Sequence, residues 1–297
     1  IKGDGTSPNL SGLTKSGNGT LTLNGANTYS GPTLINGGTL ALGASGSLGE
    51  TQRISIASGA CLDLTTGSVW PAGVPLVSNG GDLKGGASVD LGTSPVTLNF
   101  TPAAFTGDSS HPALTVSSGA LTLNGAVTIN NHSGTALGEG VYVIVSQTSG
   151  MISGSPTFNG TVGGQGIQPG KFCELRINGG NLELVVANPQ TTTTLSRNPG
   201  TSAASFYGDT LQFLVSVNPP AASGTVRLFN GGPGGTLLGT GELSGGTCVI
   251  TPADTALAVG SHPNLVAVYL GAAPYLTSTS APLAPAQSVA PKPLTIA

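Results

Sequence analysis

Short segments of alternating hydrophobic and polar residues run along this 297-residue chain, and five of them share one pattern. In each, a glycine is followed within one to three residues by Leu-x-Leu. The five segments are Gly19–Leu23, Gly38–Leu42, Gly59–Leu64, Gly119–Leu123 and Gly180–Leu184. The first three begin about 20 residues apart, which is the period of a solenoid rung rather than of a helix or a hairpin. The pattern predicts stacked short strands, with the following leucines pointing inward: Leu21, Leu23, Leu40, Leu42, Leu62 and Leu64.

Further strands are predicted up to about Asn188. Period-two alternation indicates half-buried strands at Ile54–Ile56, Val96–Phe100 and Val127–Ile129. The most apolar run, Val141–Val145, is predicted to be buried on both faces. The segments Gly150–Gly154 and Leu182–Val186 are interpreted as closing rungs that cover the end of the solenoid. Asn-Gly pairs recur between the strands and predict tight turns at positions 24–25, 36–37, 79–80, 124–125, 159–160 and 178–179.

The pattern changes after Asn188. Longer strands are predicted, separated by turn signals, at Thr191–Leu195, Thr210–Val217, Gly224–Phe229, Gly246–Thr251, Leu265–Leu270 and around Ala284–Val289. About seven strands in about 100 residues indicate a β-sandwich. The predicted fold is therefore all-β, a right-handed parallel β-solenoid at residues 1–188 followed by an Ig-like sandwich at 189–290. Residues 291–297 are predicted to begin a further strand or linker.

Composition removes several classes of function. Charged residues make up 7% of the chain, but the 38% hydrophobic content is enough to bury a core, which argues against disorder. The net charge of −3 comes without a basic patch, so nucleic acid is not expected as a partner. No apolar run approaches the length of a membrane span, so membrane insertion is not expected. The start at Ile1 reads as a processed or excised piece of a longer precursor.

Few residues have side chains suited to catalysis or metal binding, and each of these also has a purely structural interpretation. Cys61, Cys173 and Cys248 are interpreted as small buried hydrophobes. A Cys61–Cys173 bridge would require the two rungs to be neighbours. The histidines, His111, His132 and His262, are expected to be structural or solvent-facing. Asp108, Ser109, Ser110 and His111 hold the residue types of a catalytic triad, yet adjacent residues do not generally converge as a triad requires.

Three further sets were weighed as sites. Asp63, Asp82 and Asp90 are irregularly spaced and lack the glycine-rich nonapeptide of calcium-binding rolls. Glu174 and Glu183 could be the carboxylate pair of a glycosidase or lyase. Tyr29, Trp70 and Tyr142 could stack on sugars, or pack in the core. We predict no catalytic, cofactor-binding or metal-binding residues, no cofactor, and no enzyme activity, because convergent ionisable residues are nearly absent.

Two stretches resemble known families. Leu13–Leu23, continuing through Asn27–Thr33 to Asn36–Leu40, resembles the autotransporter-associated β-strand repeat, also called the passenger-associated transport repeat. This resemblance implies an extracellular passenger β-helix of a bacterial surface protein, and the stretch from Gly138 to Val186 looks like the closing segment that often follows. The second domain is similar to a bacterial Ig-like repeat domain. The residues that carry this likeness include Tyr207-Gly208, Ser223–Val226, Leu238–Thr240, Leu243–Thr247, Gly260–His262 and Ala267–Tyr269. Gly271–Ala273 departs from the family's usual Gly-Asp pair, and Pro291–Ile296 resembles the strand that begins a further module.

These observations favour a non-catalytic structural or adhesive module of a secreted bacterial protein, located outside the cell or on its surface. Expected partners are copies of the chain itself, joined end to end through Ile1–Leu10 and Lys292–Ala297, or surface glycans. Covalent continuation into further modules would explain both ends equally well. The alternatives are a glycan-binding module, which an aromatic row would favour, and a solenoid carbohydrate enzyme, which a groove with three or more carboxylates would favour.

Overall fold

The computed structural model describes residues 11–66 and 69–294, and all regular elements within those ranges are β-strands. The chain divides into two compact units, Ile1–Ala187 and Asn188–Ala297. No helix in the described ranges is long and apolar enough to cross a membrane.

The first unit is built from short strands that follow one another closely along the chain. They are β1 (Leu13–Lys15), β2 (Thr20–Leu23), β3 (Thr33–Ile35), β4 (Gly38–Leu42), β5 (Ile54–Ile56), β6 (Ala60–Leu64), β7 (Leu76–Ser78), β8 (Gly81–Asp90), β9 (Val96–Phe100), β10 (Leu114–Thr122), β11 (Val127–Asn131), β12 (Gly140–Gln147), β13 (Ile152–Ser153), β14 (Val162–Gly164), β15 (Phe172–Asn178) and β16 (Asn181–Ala187).

Consecutive strands alternate between two sheets. The first sheet has the order β1-β3-β5-β7-β9-β11-β14, and the second contains β2-β4-β6-β8-β10-β12 in the same sense. All of these pairs are parallel and mostly in register. A seven-stranded parallel sheet formed by every second strand is consistent with the predicted solenoid.

Because successive strands pair in register, equivalent side chains of neighbouring strands stack into buried columns. In the second sheet, Leu40 pairs with Leu62, Leu62 with Leu83 and Leu83 with Val116, and all four side chains are fully buried. A parallel column faces them from the first sheet, made of Ile35, Ile56, Ser78, Leu98 and Ile129. Removing each large aliphatic side chain from water contributes roughly 1.5–3 kcal/mol, so these columns supply much of the stability.

Five of the six leucines predicted to point inward are buried, and one prediction is wrong. Leu23, Leu40, Leu42, Leu62 and Leu64 are at most 8% exposed, whereas Leu21 is 37% exposed. Leu21 lies in β2, which pairs only with β4 in the described part of the chain. An edge strand has a neighbour on one side only, and this explains why the same sequence pattern leaves Leu21 accessible.

The end of the second sheet differs from the predicted closing rungs. Ile152–Ser153 does form a short parallel strand, β13, against β10. Leu182–Val186, however, lies in β16, which pairs antiparallel with both β12 and β15. The tight turn at 178–181 reverses the chain, so the ladder ends in a hairpin and not in another rung. The apolar strand that this hairpin covers is buried on both faces from Tyr142 to Val145, as predicted, but Val141 is 37% exposed.

The second unit contains longer strands that pair mainly antiparallel. They are β17 (Thr192–Arg197), β18 (Ala204–Phe206), β19 (Phe213–Asn218), β20 (Gly224–Asn230), β21 (Thr236–Leu243), β22 (Thr247–Ile250), β23 (Gly260–His262), β24 (Leu265–Tyr269), β25 (Ser278–Thr279) and β26 (Gln287–Ala290). They form three sheets, β17-β19-β22, β18-β26-β23 and β21-β20-β24-β25. Phe213, Leu228 and Tyr269 are fully buried in the shared core.

The predicted strands of this unit correspond to β17, β19, β20, β22, β24 and β26, while β18, β21, β23 and β25 were not predicted as strands. Residues 210–212 were predicted as strand but precede β19, although their alternation is correct because Leu211 is buried. Pro291–Leu294 form no strand. The rest of the predicted terminal strand, Thr295–Ala297, and the opening segment Ile1–Leu10 lie outside the described residues.

Candidate functional site: a polar groove beside an inserted loop

One corner of the ladder is much longer than its neighbours. The chain passes from the first sheet to the second through residues 36–37, 57–59 and 79–80 in three successive turns, but through the thirteen residues 101–113 in the next. Insertions into stacked repeats map to loops on one face, which is often the binding face. The loop 101–113, the corner insertion, is therefore a candidate for a binding site.

The corner insertion is fixed to the ladder at three points. The amide of Gly138 donates to the Phe105 carbonyl (2.8 Å), and Asp108 exchanges backbone hydrogen bonds with Val141 and Val143 (3.0 and 2.8 Å). At its end, the Ala113 carbonyl accepts from the Ser78 hydroxyl (2.7 Å). Ser78 is the one polar member of the aliphatic column in the first sheet, and this bond satisfies its buried hydroxyl.

Asp108 organises the interior of the insertion. Its carboxylate accepts hydrogen bonds from the amides of Ala103 (2.7 Å) and Ser110 (2.8 Å), from the Ser110 hydroxyl (2.9 Å) and from His111 Nδ1 (2.9 Å). Burial by itself would raise the pKa of Asp108, but the hydrogen bonds from Ser110, Ala103 and His111 outweigh it and lower the pKa. An ionised Asp108 holds the His111 ring by Nδ1, which leaves Nε2 as the nitrogen available to a ligand.

The insertion forms one wall of a groove of about 360 Å³. Its lining residues are Ser58, Asn79, Gly80, Asn99, Phe100, Thr101, Ser110, His111, Pro112, Thr115 and His132. Ser58, Asn79, Thr101 and His132 follow β5, β7, β9 and β11, so the groove crosses four successive strands of the first sheet. No Asp, Glu, Lys or Arg is among the described residues that line it.

Asparagines form a ladder that ends in the groove. Asn130 Nδ2 donates to Asn99 Oδ1 (2.7 Å), and Asn99 Nδ2 donates to Asn79 Oδ1 (2.5 Å). The ladder follows the strand register, in which Asn130 pairs with Asn99, and Asn99 and Asn79 line the groove. Asn79 ends the ladder as an acceptor and is exposed, so its own amide NH2 is not used within the ladder.

The residues of the suspected triad do meet, but in a different geometry. Ser110 Oγ and Asp108 Oδ2 both approach the same ring nitrogen, Nδ1 of His111, at 3.3 and 2.9 Å. A triad needs the serine and the carboxylate on opposite nitrogens. The arrangement is a local turn that orients His111, for which sequence analysis had assigned no acidic partner.

The other histidines have different surroundings. His132 is exposed and lines the groove. His262 ends β23, where Nε2 donates to the Ala258 carbonyl (2.8 Å) and Nδ1 accepts from Asn230 (3.1 Å). Its two nitrogens are both used within the second unit, which is a structural role.

The glutamates considered as a catalytic pair lie diagonally in the β15–β16 hairpin. Glu183 faces Arg176 across the hairpin, and Glu174 faces Val185. Glu183 accepts from Arg176 Nε (2.7 Å) and from Asn178 (3.2 Å). Its carboxylate is thus held by two donors and is not poised as a general acid or base.

The aspartates considered for calcium are also engaged locally. Asp63 accepts from the amide and hydroxyl of Thr65 (2.9 and 2.7 Å), Asp82 from Ser117 (2.8 Å) and Asp90 from the Gly92 amide (2.8 Å). Within 11–66 and 69–294, no group of three His, Cys, Asp or Glu side chains could hold a metal ion.

All three cysteines have free thiols. Cys61 is in β6 and Cys173 in β15, and these strands are not neighbours in the second sheet. Burial, together with the nearby Asp82, raises the pKa of Cys61 to about 12. Burial also raises the pKa of Cys173 and Cys248. These thiols stay protonated at neutral pH and behave as small apolar side chains.

The aromatic residues considered for sugar stacking belong to the core. Tyr29, Trp70 and Tyr142 are 0%, 4% and 0% exposed. Their polar atoms bond to Thr33, to the Val74 carbonyl and to the Gly138 carbonyl. The core-packing interpretation is confirmed, and these three rings form no platform for a ligand.

The groove itself was missed by sequence reasoning. Asn79 was interpreted only as a turn residue and Asn99 only as a polar position in a strand, and Asn130 was given no role. One signal was present: the strand Val96–Phe100 is followed by an unusually long stretch before the next strand core at Gly119–Leu123. In a chain with a rung period near 20 residues, such a gap marks an insertion.

The comparisons with known proteins agree with both resemblances. Residues 13–42 match the family model of the passenger-associated-transport-repeat, and residues 193–288 match that of the bacterial Ig-like domain (group 3). No curated protein and no solved structure gives a significant match. The two matched segments point to a surface-associated module of the autotransporter-passenger kind, composed of domains that are typically non-catalytic.

Proposed function

We propose that this chain is a non-catalytic structural or adhesive module of a secreted bacterial surface protein. In this proposal residues 1–188 form a right-handed parallel β-solenoid that acts as a stalk, and the Ig-like sandwich at 189–290 acts as a spacer. The chain works mechanically, by holding whatever it carries at a distance from the cell.

The observation that supports a stalk is the continuity of the buried columns. Leu40, Leu62, Leu83 and Val116 stack through four strands without interruption, while backbone hydrogen bonds run along the same direction. Each strand contacts mainly its neighbours, which is how repeat proteins gain length instead of a central pocket. Right-handed winding follows from the strong preference of parallel strand crossovers for that hand.

The outer face of the first sheet is polar but carries little charge, and this supports a secreted location. Thr97 and Thr128 pair in register on the outer side of the first sheet, beside the asparagine ladder. Hydroxyl and amide groups keep a sheet hydrated although charged residues are only 7% of the chain. Near the hairpin, the edge strand β15 carries Glu174 and Arg176, which discourage uncontrolled strand pairing.

Location can be tested on intact cells of the source organism. Antibodies raised against the chain should label the surface of unpermeabilised cells or detect the chain in the medium, and an added protease should remove the label. A chain found only after permeabilisation would contradict the proposal.

End-to-end assembly is the finer part of this proposal. Negative-stain imaging of the secreted material should show filaments if chains join through their ends. Light scattering on the 297-residue chain, with and without residues 291–297, should then show larger species only for the full chain. A monomer at high concentration that is unaffected by the deletion would refute strand-mediated assembly and favour a covalent tandem array.

A further inference from the structure

We propose that the groove beside the corner insertion binds a neutral, hydroxyl-rich oligosaccharide laid across the strands of the first sheet. This binding function goes beyond the mechanical role above and does not depend on it. It rests on the shape of the groove, the direction of its hydrogen-bonding groups and the lack of charge on its walls.

The wall of the groove is held in place by hydrogen bonds to the ladder. The backbone bonds of Phe105 and Asp108 and the contact between Ala113 and Ser78 hold the insertion at its start, middle and end. Binding residues on a loop positioned by a rigid scaffold lose little entropy when a ligand arrives.

Hydrogen-bonding groups of both kinds face the space. His111 Nδ1 is hydrogen-bonded to Asp108, so Nε2 is the ring nitrogen left to bond a ligand, as an acceptor in the neutral ring and as a donor in the protonated one. Asn79 accepts from Asn99 and presents its NH2 as a donor. The hydroxyls of Ser58 and Thr115, which also line the groove, can donate or accept. A sugar hydroxyl is likewise donor and acceptor, and matches such a mixed lining.

The absence of charge on the lining selects among ligands. A phosphorylated or strongly acidic ligand would find no Lys or Arg among the described lining residues, and its desolvation would not be compensated. An apolar ligand would bury asparagine and histidine polar groups without partners. A neutral saccharide avoids both costs.

The dimensions also fit a short stretch of a linear glycan. Neighbouring strands are about 4.8 Å apart, so the four strands whose ends line the groove span roughly 14 Å. That spacing is close to the length of one sugar ring in an extended chain. The volume of about 360 Å³ lies at the lower end of the range for small-molecule sites.

Calorimetric titration of the full chain with neutral and acidic oligosaccharides tests the proposal. The neutral probes are cellotetraose, fully N-acetylated chitotetraose and maltotetraose, and the acidic probe is tetragalacturonate. We expect at least one neutral tetrasaccharide to bind, and to bind more tightly than the acidic one.

The informative variant is Asn79→Asp, which keeps the oxygen that accepts from Asn99 and removes the NH2 donor. Its affinity for the neutral probe should fall about tenfold, as expected for loss of one hydrogen bond beside an added charge. The matched control is Asn24→Asp, because Asn24 is also exposed before a glycine but lies away from the groove. His111→Phe, which keeps a ring without nitrogens, provides a second test and should weaken binding similarly.

Thermal melts must show that all variants are folded at the temperature of the titration, because His111→Phe, although at an exposed position, also removes the hydrogen bond to Asp108. If either groove variant unfolds early, Ser58→Arg at the opposite wall replaces it and should abolish binding by obstruction. The proposal fails if none of the neutral probes binds at millimolar concentration. It fails equally if tetragalacturonate binds best, or if folded groove variants bind as well as the Asn24→Asp control.

Discussion

Both units bury the faces of β-sheets, but they do so through different contacts. Contacts in the first unit join neighbouring repeats, whereas contacts in the second unit join segments far apart in the sequence. In the first unit a side chain such as Leu62 meets its equivalents one strand away, roughly 20 residues along the sequence. In the second unit Thr191 bonds to Ser278 and Arg197 to Gln287, so that the two ends of the unit hold each other. The ladder therefore depends on repetition, and the sandwich depends on closure between distant segments.

The two interiors are filled by similar side chains. The in-register columns of the ladder are aliphatic apart from Ser78, and the same core also holds four buried rings, Tyr29, Trp70, Phe100 and Tyr142. The sandwich core likewise combines aliphatic side chains with the buried rings of Phe213 and Tyr269. The pattern of contacts, and not the size of the side chains, therefore separates the two units.

The largest effect is expected from a charge in a ladder column. Leu40→Asp places a carboxylate between Leu62 and the edge leucine Leu21, and should lower the free energy of unfolding by about 4 kcal/mol or more. Trp70 is the sole tryptophan of the chain and is buried in the first unit, so its fluorescence in urea reports this unfolding. Leu21→Asp is the matched control, because Leu21 pairs with Leu40 but is exposed. Equal losses in the two variants would contradict the column.

A smaller effect is expected where the ladder brings two backbones together. Gly38 has φ +60°, and a Cβ there would lie 2.4 Å from the Gly19 carbonyl oxygen. Gly59 has φ +72° but nothing within 4 Å of such a Cβ. Gly38→Ala should therefore cost about 2–3 kcal/mol, and Gly59→Ala only the backbone strain of about 1 kcal/mol. Trp70 fluorescence again measures both, and equal values would mean that repeats are not packed as closely as described.

Closure of the sandwich can be weakened at one hydroxyl. Tyr269 Oη donates to the Ser223 carbonyl (2.7 Å) and accepts from the Ala272 amide (3.0 Å). Tyr269→Phe should destabilise the second unit by about 1–2 kcal/mol, because two backbone groups lose their hydrogen bonds to the hydroxyl of a buried side chain. Hydrogen exchange of β20 and β24 should accelerate, whereas Tyr207→Phe, at an exposed tyrosine, should leave it unchanged. Unaltered exchange in Tyr269→Phe would show that closure does not depend on this contact.

The smallest effect concerns acid stability at the corner insertion. The folded pKa of Asp108 lies below its ordinary value of about 3.9, so its contribution is present above pH 4 and is lost as the pH falls towards the folded pKa. Melting temperatures measured by Trp70 fluorescence between pH 5 and 2 should therefore fall less steeply in Asp108→Asn than in the wild type. The same change at the exposed Asp90 should not alter the slope. Parallel acid profiles for wild type and Asp108→Asn would refute this role of the carboxylate.

Sequence periodicity predicted the ladder well because its physics is local. The Leu-x-Leu cores, Ile54–Ile56 and Val96–Phe100 lie in strands, apart from Leu123 just after β10, and their apolar side chains are buried except at Leu21. The predictions that were wrong concern segments whose structure depends on their position in the sheet and not on their own sequence. Leu21 carries the same pattern as Leu40 but lies at an edge, and the turn after Asn178 sends β16 back antiparallel where a further rung was predicted.

The strand β21 was missed for a different reason. Gly239 and Gly241 interrupt its hydrophobic pattern, and glycines normally argue against a strand. In the structure a Cβ at Gly239 would lie 2.8 Å from Ile250, and one at Gly241 would lie 2.9 Å from Cys248 Sγ. The glycines make room for the side chains of β22, a reason that becomes visible only after the two strands are paired.

The candidate site was the least predictable part. His111 and Asp108 come from the insertion, while the asparagines come from the turn after β7 and from β9 and β11, and only the register brings Asn99 beside Asn130. Hydrophobic patterning carries no information about an insertion that is held by carbonyls and a carboxylate. The sequence therefore identified individual candidate residues such as Asp108 and His111, but it did not show that they lie together with the asparagines in one site.

The antiparallel hairpin at the end of the second sheet has a consequence for size. Beyond β12 the strand direction reverses, so the parallel stack cannot grow in that direction. Its height is then a count of the strands that precede the hairpin, each adding about 4.8 Å. Duplication or loss of one repeat in the gene would lengthen or shorten the module by a fixed increment while the terminal fitting stays the same. The height of the module therefore takes discrete values, and a change in the number of repeats is the way to alter it.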